Sequence, residues 1–471
     1  MLIGDFCFIA TLLEERMKLE NDLGRDNIKK LVLRIALPSM LAQFVSVLYS
    51  IVDRMYIGNI PDTGSVALAG VGVCGPVVTL IGSVAFLVGV GGAPLMSMRL
   101  GEGNKEKAQE IVGNAFLMLI VCAVLLVAVV FPIREPMLRL FGASDTTLPF
   151  AMTYFSVYLT GTAFALLSTG MNQFIISQGF SKVGMISVLI GAVMNIILDP
   201  VFIFLFDMGV AGAAVATVIS QMASCIYVLT FLFGKKVPVR ITFGHYHLNI
   251  IKRILTVGFS PFFIIALDNV MIIAMNAILQ NYGGTSEGDL LVTCATIAQS
   301  FMLVVTMPMG GITGGTQTIL AYNYGANQPE RVKSAQKYIF MLTLLYTTVL
   351  FILARIAGPL FVRLFTADPL IAKEAFRAIK IFTLAIIPLA IQYEIVDGFT
   401  GLAQVQYSFP LSTFRKIVYF IALFVLPYFF GARSAFYAEP ISDIISPVVS
   451  CIVYVYGMKK ILHRPAPGSD D

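Results

Sequence analysis

The chain has 471 residues, of which 58% are hydrophobic and only 13% charged, with a net charge of +5 and a mean hydropathy of +0.86. Soluble domains carry about 25% charged residues, which argues against a water-soluble globular protein. The modest positive charge is spread over polar loops and excludes a concentrated nucleic-acid-binding face. Six scattered cysteines without a CxxC pair indicate neither a disulfide framework nor a cysteine zinc site.

Apolar runs of helical length recur along the whole chain, each bounded by glycine, proline or charged residues. A helix needs about 20 residues to cross a bilayer core. The sequence therefore predicts an all-α membrane protein with twelve transmembrane helices. They are placed near 32–58, 67–97, 111–132, 148–176, 183–206, 210–233, 254–280, 290–321, 335–358, 376–400, 411–430 and 435–458.

The polar segments between these runs predict the domain organisation and the orientation. The predicted parts are a cytoplasmic N-terminal tail (1–30), an N-lobe with spans 1–6 (31–233), a polar cytoplasmic linker (234–249), a C-lobe with spans 7–12 (250–460) and a C-terminal tail (461–471). Lys and Arg concentrate in the even-numbered loops, so the positive-inside rule puts both termini in the cytoplasm. We expect a monomer surrounded by lipid in a bacterial inner membrane.

The two halves of the chain resemble each other. "GEGNKEKAQEIVGNAF" (101–116) is similar to "GANQPERVKSAQKYIF" (325–340), and at almost the same spacing Pro38 falls opposite Pro261 and Asp53 opposite Asn276. A repeat of six spans begins and ends on one side of the membrane, so the halves must be parallel. The sequence thus predicts two pseudo-symmetric six-helix bundles around a cleft, a common plan for transporters with alternating access.

Asn195, Asp199 and Pro200 interrupt the fifth apolar run, "GAVMNIILDPVFIF". Asn195 and Asp199 are four apart and share one helical face, while Pro200 frees a backbone carbonyl. An ionised carboxylate at the bilayer centre costs roughly 3 kcal/mol on insertion scales, so it needs a partner. The cluster can hold a proton, or a small cation such as Na⁺ through oxygen ligands. Alternatively, Asp199 only packs helices, satisfied by a neighbouring Ser or Thr.

Other polar residues inside the apolar runs are candidates of the same kind. Asp53, toward the outer end of span 1, is either a functional acid or an interfacial residue near water. Asp268 in span 7 has no cationic residue within a turn, and Glu394 and Asp397 are three apart in span 10, where they could share a proton or cap a loop. Further candidates are Asn276 for an ion site in the second lobe and Pro38, Pro200 and Pro261 for hinges. Gln317 and Asn323 either line the substrate cleft or merely seal a broken helix.

Three stretches resemble those of the MATE (multidrug and toxic compound extrusion) family, bacterial MepA-like branch. They are "LPSMLAQFVSVLYSIVDRMYIG" (37–58), residues 174–221 around Asn195, and "GGTQTILAYNYGANQPERVKSA" (314–335). The resemblance implies a proton- or sodium-driven antiporter that exports cationic drugs. It also implies a coupling-ion site in the N-lobe at Asp53, Asn195 and Asp199. In the C-lobe, Asp268 fits the family's seventh-span acid, whereas Glu394 and Asp397 are out of register with its tenth-span acid.

We therefore expect a secondary active antiporter whose substrates are small organic cations, with H⁺ or Na⁺ as coupling ion and no cofactor. Apart from Na⁺ at the N-lobe site, no metal is expected. A lipid-linked saccharide flippase is an alternative, although its cleft should be cationic and acids predominate in the predicted spans. A passive channel is a second alternative. No Cys/His or Ser/His/Asp constellation supports an enzyme.

Overall fold

The computed structural model describes residues 21–235, 237–366 and 368–462. All regular elements in these ranges are helical, and the predicted all-α membrane fold is confirmed. Eleven helices are long and apolar enough to cross a membrane, and a helix pair bent by 58° supplies a twelfth span. Of the predicted tails, residues 1–20 and 463–471 lie outside the described residues.

Six spans form the first half. They are α1 (Ile28–Gly58), α2 (Gly64–Gly101), α3 (Lys105–Leu140), the bent pair α4 (Leu148–Thr160) and α5 (Thr162–Ile176), α6 (Ser181–Pro200) with a π-helical turn (Val201–Leu205), and α7 (Gly209–Phe233). The bend falls at Gly161, where a Cβ atom would lie only 2.6 Å from a methyl group of Val218. The bend therefore brings the backbone of the fourth span directly against α7.

The second half repeats this plan. One helical stretch, Leu248–Gly325, is broken at Gly284 (φ 60°) into α8 (Leu248–Gly284) and α9 (Glu287–Gly325). The remaining helices are α10 (Pro329–Ile356), α11 (Gly358–Arg363), α12 (Pro369–Phe382), α13 (Ile386–Gly401), α14 (Val405–Phe430) and α15 (Ala438–Leu462). A 3₁₀ turn (Thr383–Ala385) joins α12 to α13, so that these two helices make one span.

Several helices extend beyond the predicted apolar runs because polar residues cap them. The Asn27 side chain accepts a hydrogen bond from the Lys30 N–H, and α1 begins at Ile28 inside the predicted tail. The Asn104 side chain likewise caps α3 through the Lys107 N–H at 3.0 Å. Such caps satisfy backbone donors that have no partner within the helix. Hydropathy alone therefore places these helix ends too far inside the membrane.

Reciprocal contacts place a pseudo-two-fold axis between α2 and α9. A Cβ atom on Gly101 would lie 2.1 Å from the Tyr322 carbonyl oxygen, and one on Gly325 would lie 2.1 Å from the Met98 carbonyl oxygen. Gly325 follows Gly101 by 224 positions, as Tyr322 follows Met98. Equivalent residues of the two bundles thus make the same contact with each other, as two-fold symmetry requires.

The two bundles touch closely through α2 and α8. A Cβ atom on Gly258 of α8 would lie 1.7 Å from the Leu87 carbonyl oxygen of α2. In the first half of α2, a Cβ atom on Gly72, Gly75 or Gly82 would have no neighbour within 4 Å. The bundles are therefore packed tightly toward the end that carries the 101–105 and 325–329 loops, which we call the sealed end, and α2 has open space beside Gly72, Gly75 and Gly82.

Candidate functional site

Asp53 of α1 meets Asn195 and Asp199 of α6 inside the N-lobe. The Asp53 and Asp199 carboxyl groups are within hydrogen-bonding reach of each other. Asn195, one turn before Asp199, donates from Nδ2 to Asp199 Oδ1 at 3.1 Å. Asp199 is fully buried, Asn195 nearly so, and Asp53 is half-buried. The fold thus brings together the three residues that were predicted to form one site.

The oxygen atoms of this cluster lack donors. Asp53 Oδ1, Asp199 Oδ2 and Asn195 Oδ1 are buried without a hydrogen-bond partner among the described residues. Two ionised carboxylates are acceptors only and cannot satisfy each other. In the described part of the chain, neither aspartate forms a salt bridge. A proton or a small cation between the two carboxylates would remove the repulsion and supply the missing partner.

Two neighbours of this cluster carried no signal in the sequence. Asn195 Nδ2 also approaches Thr217 Oγ1 of α7 at 3.5 Å, and the Tyr154 side chain of α4 lies within hydrogen-bonding reach of Thr217. Tyr154 is also close enough to Asp53 for an electrostatic interaction with its carboxylate. Thr and Tyr are ordinary residues in apolar helices, so only the fold shows that they surround the acids. These contacts connect α1, α4, α6 and α7 at one point.

The predicted hinge prolines occupy different settings. Pro200 ends α6, and the chain continues as the π-helical turn Val201–Leu205. A π-turn widens the helix and is frequent at functional sites. Pro38 and Pro261 lie inside α1 and α8 at repeat-equivalent positions. A hinge function for these three residues stays a prediction.

Asp268 of α8, which has no cationic residue within a turn of its own helix, has a cationic partner on another helix. Lys416 of α14 donates a hydrogen bond to Asp268 Oδ1. The Lys416 side chain is 3% exposed, whereas the Asp268 side chain is 48% exposed. The sequence shows no basic residue within one turn of Asp268, because its partner comes from a distant helix packed alongside. A role for Asp268 in a second-lobe ion site stays a prediction.

A second basic residue extends this pair into a network of five charges. Arg415, next to Lys416, donates from Nε to Asp443 Oδ1 at 2.7 Å and from Nη2 to Glu439 Oε1 at 2.9 Å. The guanidinium group is 9% exposed, and Asp443 is fully buried. Three acids thus face two bases. The sequence does show these charged residues inside the predicted spans 11 and 12. Only the packing of α14 against α15 and α8 shows which of them pair with each other.

The acids of α13 face α9. Thr313 Oγ1 donates to Asp397 Oδ2, and Gln317 is within hydrogen-bonding reach of the same carboxylate. Glu394 is 1% exposed, and its Oε1 is buried without a partner among the described residues. On α8, Asn276 Oδ1 is buried in the same unpartnered state. Gln317 therefore belongs with Asp397 in the C-lobe, while the structure supplies no hydrogen bond that links Asn276 to these acids.

Asn323, predicted to line the cleft, lies instead at the sealed end. Its Nδ2 donates to the carbonyl oxygens of Leu23 at 3.0 Å and Ile319 at 2.8 Å. Its Oδ1 accepts from Arg331 Nε at 2.8 Å. The side chain is fully buried. The cleft assignment of Asn323 is wrong, because its side chain is bonded to the segment before α1, to its own helix and to α10.

A model of the MatE family matches residues 38–201 and 262–430. The chain belongs to this family. It is similar to the multidrug export protein MepA of Staphylococcus aureus (strain MRSA252), with 24% identity over 432 residues that cover 90% of this chain and 93% of the relative. The resemblance to the MepA-like branch is thereby confirmed.

Two solved structures share the fold. One is the outward-facing conformation of a multidrug resistance MATE family transporter of the MOP superfamily, with a TM-score of 0.87 and 22% identity, covering 93% of this chain and 98% of that one. The other is a MOP superfamily transporter from Pyrococcus furiosus, with a TM-score of 0.88 and 22% identity, covering 94% and 98%. This MatE-family chain is therefore a multi-pass integral membrane protein.

The two segments matched by the family model correspond to the two lobes. The first contains Asp53, Asn195 and Asp199, and the second contains Asp268 and Asp397. Arg415 and Lys416 also lie in the second segment, but their acidic partners Glu439 and Asp443 lie beyond it. Every candidate ion-binding acid thus lies in a part of the chain that the family model recognises.

Proposed function

We propose that this MatE-family protein is a secondary active antiporter that exports small organic cations in exchange for H⁺ or Na⁺ bound at Asp53, Asn195 and Asp199. The observation that carries the proposal is the Asp53–Asp199 pair, which joins a fully buried acid to a half-buried one. Each has an oxygen atom without a donor, and neither forms a salt bridge, among the residues that the structure describes. Such a pair is costly in a membrane unless it binds and releases a positive ligand. The similarity to MepA, a multidrug export protein, supports organic compounds as cargo.

The geometry supports an alternating-access cycle. Basic loops lie at the sealed end, and the positive-inside rule makes that end cytoplasmic in a bacterial inner membrane. The open side then faces outward, where the gradient supplies the ion. A proton or Na⁺ between Asp53 and Asp199 draws α1 and α6 together, since it replaces repulsion with attraction. The resulting change in the cleft releases the organic cation and precedes closure of the outer end.

The alternatives have less support. A flippase for lipid-linked saccharides needs free basic side chains to hold a diphosphate, and the buried bases of α14, Arg415 and Lys416, are already bonded to acids. A passive channel needs a continuous pore, whereas backbone contacts such as that of Gly258 with Leu87 seal one end. A flippase and a channel would each give a result that differs from that of an antiporter in a transport assay.

The test uses the purified protein in proteoliposomes, with a proton or a sodium gradient imposed one at a time and a fluorescent organic cation as cargo. We expect efflux that depends on one of the gradients and is lost in Asp53→Asn and in Asp199→Asn. Asp145→Asn is the matched control, because Asp145 is an exposed acid paired with Arg139. Undiminished gradient-driven efflux in both site variants would refute the site. Lipid flipping without efflux would instead support the flippase, and unitary currents would support a channel.

A further inference from the structure

The linker between the lobes is fixed on α3 by one side chain. Asn114 Nδ2 donates to the His245 carbonyl oxygen at 3.2 Å, and Asn114 Oδ1 accepts from the His247 N–H at 3.1 Å. Asn114 is fully buried. A Cβ atom on Gly113 would lie 2.6 Å from the Thr242 carbonyl oxygen. The end of the linker therefore lies directly on α3, in a register set by its backbone and not by its side chains.

This register brings three metal-ligating groups together. Glu110 lies one turn before Asn114 on the same face of α3, and Asn114 also donates to the Glu110 carbonyl oxygen at 2.8 Å. His245 has a left-handed backbone conformation (φ 55°) after Gly244 (φ 95°), so the chain turns sharply just before His247. One ligand atom from each of Glu110, His245 and His247 lies within 4.8 Å of the others.

We propose that Glu110, His245 and His247 form a binding site for a divalent transition-metal ion, with Zn²⁺ as the natural ligand. Two imidazole nitrogens and one carboxylate oxygen are a donor set that zinc takes with water in the fourth position. Ca²⁺ and Mg²⁺ prefer oxygen ligands throughout. Zinc–ligand bonds of about 2.0–2.2 Å require the three donors to move closer. Their half-buried and exposed positions leave the side chains free to do so.

The site has a consequence for the lobes, which rests on the proposed alternating-access function. His247 is the residue before α8, the first helix of the C-lobe, whereas Glu110 belongs to the N-lobe. A metal held by both would fasten the start of α8 to α3. The same part of α8 makes the Gly258 contact with α2 that seals this end. Zinc would therefore stabilise the sealed conformation.

The first test is direct binding by the full-length protein, purified through a cleavable affinity tag that contains no histidine. Co²⁺ is the spectroscopic probe, and Zn²⁺ is the competitor. We expect one Co²⁺ per chain, displaced by Zn²⁺, with affinity at least about tenfold weaker in Glu110→Gln and lost in His245→Ala/His247→Ala. His463→Ala is the matched control, since the chain has three histidines in all. No stoichiometric Co²⁺ binding by the unmodified chain, or full affinity in the double variant, would overturn the site.

The variants are expected to fold, because Asn114 bonds to the backbone of His245 and His247 and alanine keeps both bonds. The second test measures hydrogen exchange of the 248–258 amides with and without Zn²⁺. Slower exchange in the unmodified chain, but not in the double variant, is expected. If Co²⁺ binds while Zn²⁺ leaves this exchange unchanged, the fastening of α8 is refuted. Neither measurement requires transport, so failure here is distinguishable from failure of the antiporter proposal.

Discussion

Lys416 donates its hydrogen bond to Asp268 from a nearly closed environment, while Asp268 itself is half-exposed. This difference predicts unequal costs of breaking the pair. Asp268→Asn leaves a buried ammonium group without its carboxylate, which should lower the free energy of unfolding by about 3–5 kcal/mol. Lys416→Met leaves a carboxylate that is already half-exposed, at a cost of about 1 kcal/mol.

The measurement for this pair is denaturant unfolding in detergent micelles. The double variant Asp268→Asn/Lys416→Met is the control, and its stability should approach that of Lys416→Met, because it removes the unpaired ammonium group. Equal destabilisation by the two single variants would contradict the expected difference between a buried ammonium group and a half-exposed carboxylate.

At position 415 we expect arginine and lysine to differ in the stability that they give the protein. The Arg415 guanidinium group reaches Asp443 and Glu439 at once, through Nε and Nη2. Lysine has no such fork and can satisfy only part of this arrangement. We expect Arg415→Gln to lower the free energy of unfolding by about 3–5 kcal/mol, because it strands two buried acids, and Arg415→Lys to cost an intermediate amount. An Arg415→Lys variant as stable as the unmodified protein would show that the fork contributes nothing.

Asp199 predicts opposite effects on stability and on transport. Its Oδ2 is buried and has no donor among the described residues, so asparagine of nearly the same shape removes an unsatisfied charge. Asp199→Asn should therefore fold with unchanged or increased thermal stability and yet lose gradient-driven efflux. Such a separation is typical of a residue kept for activity at the expense of stability. A large fall in melting temperature would instead indicate that Asp199 has a structural role.

Much of the architecture could be predicted from hydropathy and repeats, because a helix must satisfy its backbone internally in lipid and needs a long apolar run. The same reasoning found Asn195 and Asp199, since four residues along a helix bring side chains to one face. Asp53 was predicted as a polar residue within an apolar run. Its contact with Asp199 depends on how α1 packs against α6, which an apolar pattern does not specify.

The contacts that the sequence did not indicate come from distant parts of the chain. Lys416 pairs with Asp268 from 148 positions away, and the Asn323 amide donates to the Leu23 carbonyl oxygen in the segment before α1. Neither pairing leaves a trace in the spacing of nearby residues. The linker histidines likewise gave no local signal of a partner, and only the fold shows that Asn114 places them beside Glu110. Local sequence therefore identified which residues are costly to bury without showing what satisfies them.

Gly258 predicts how the sealed end responds to a single added methyl group. A Cβ atom there would meet the Leu87 carbonyl oxygen at 1.7 Å, so Gly258→Ala must push α8 away from α2. Overpacking of this kind costs about 1–3 kcal/mol, which corresponds to a shift of about 5- to 150-fold between the sealed and open conformations. Gly310→Ala is the matched control, because a Cβ atom on Gly310 of α9 would have no neighbour within 4 Å.

The shift can be read from a cysteine introduced at Ser39, which is buried where α1 meets α9 near the sealed end, in a background without the six native cysteines. In detergent, a bulky maleimide should label this cysteine faster in Gly258→Ala than in the parent, and at the parent rate in Gly310→Ala. The reason is that labelling requires the two bundles to separate there. If both alanine variants label at the same rate, the close approach of Gly258 to Leu87 does not control opening, and the seal must depend on other contacts between the lobes.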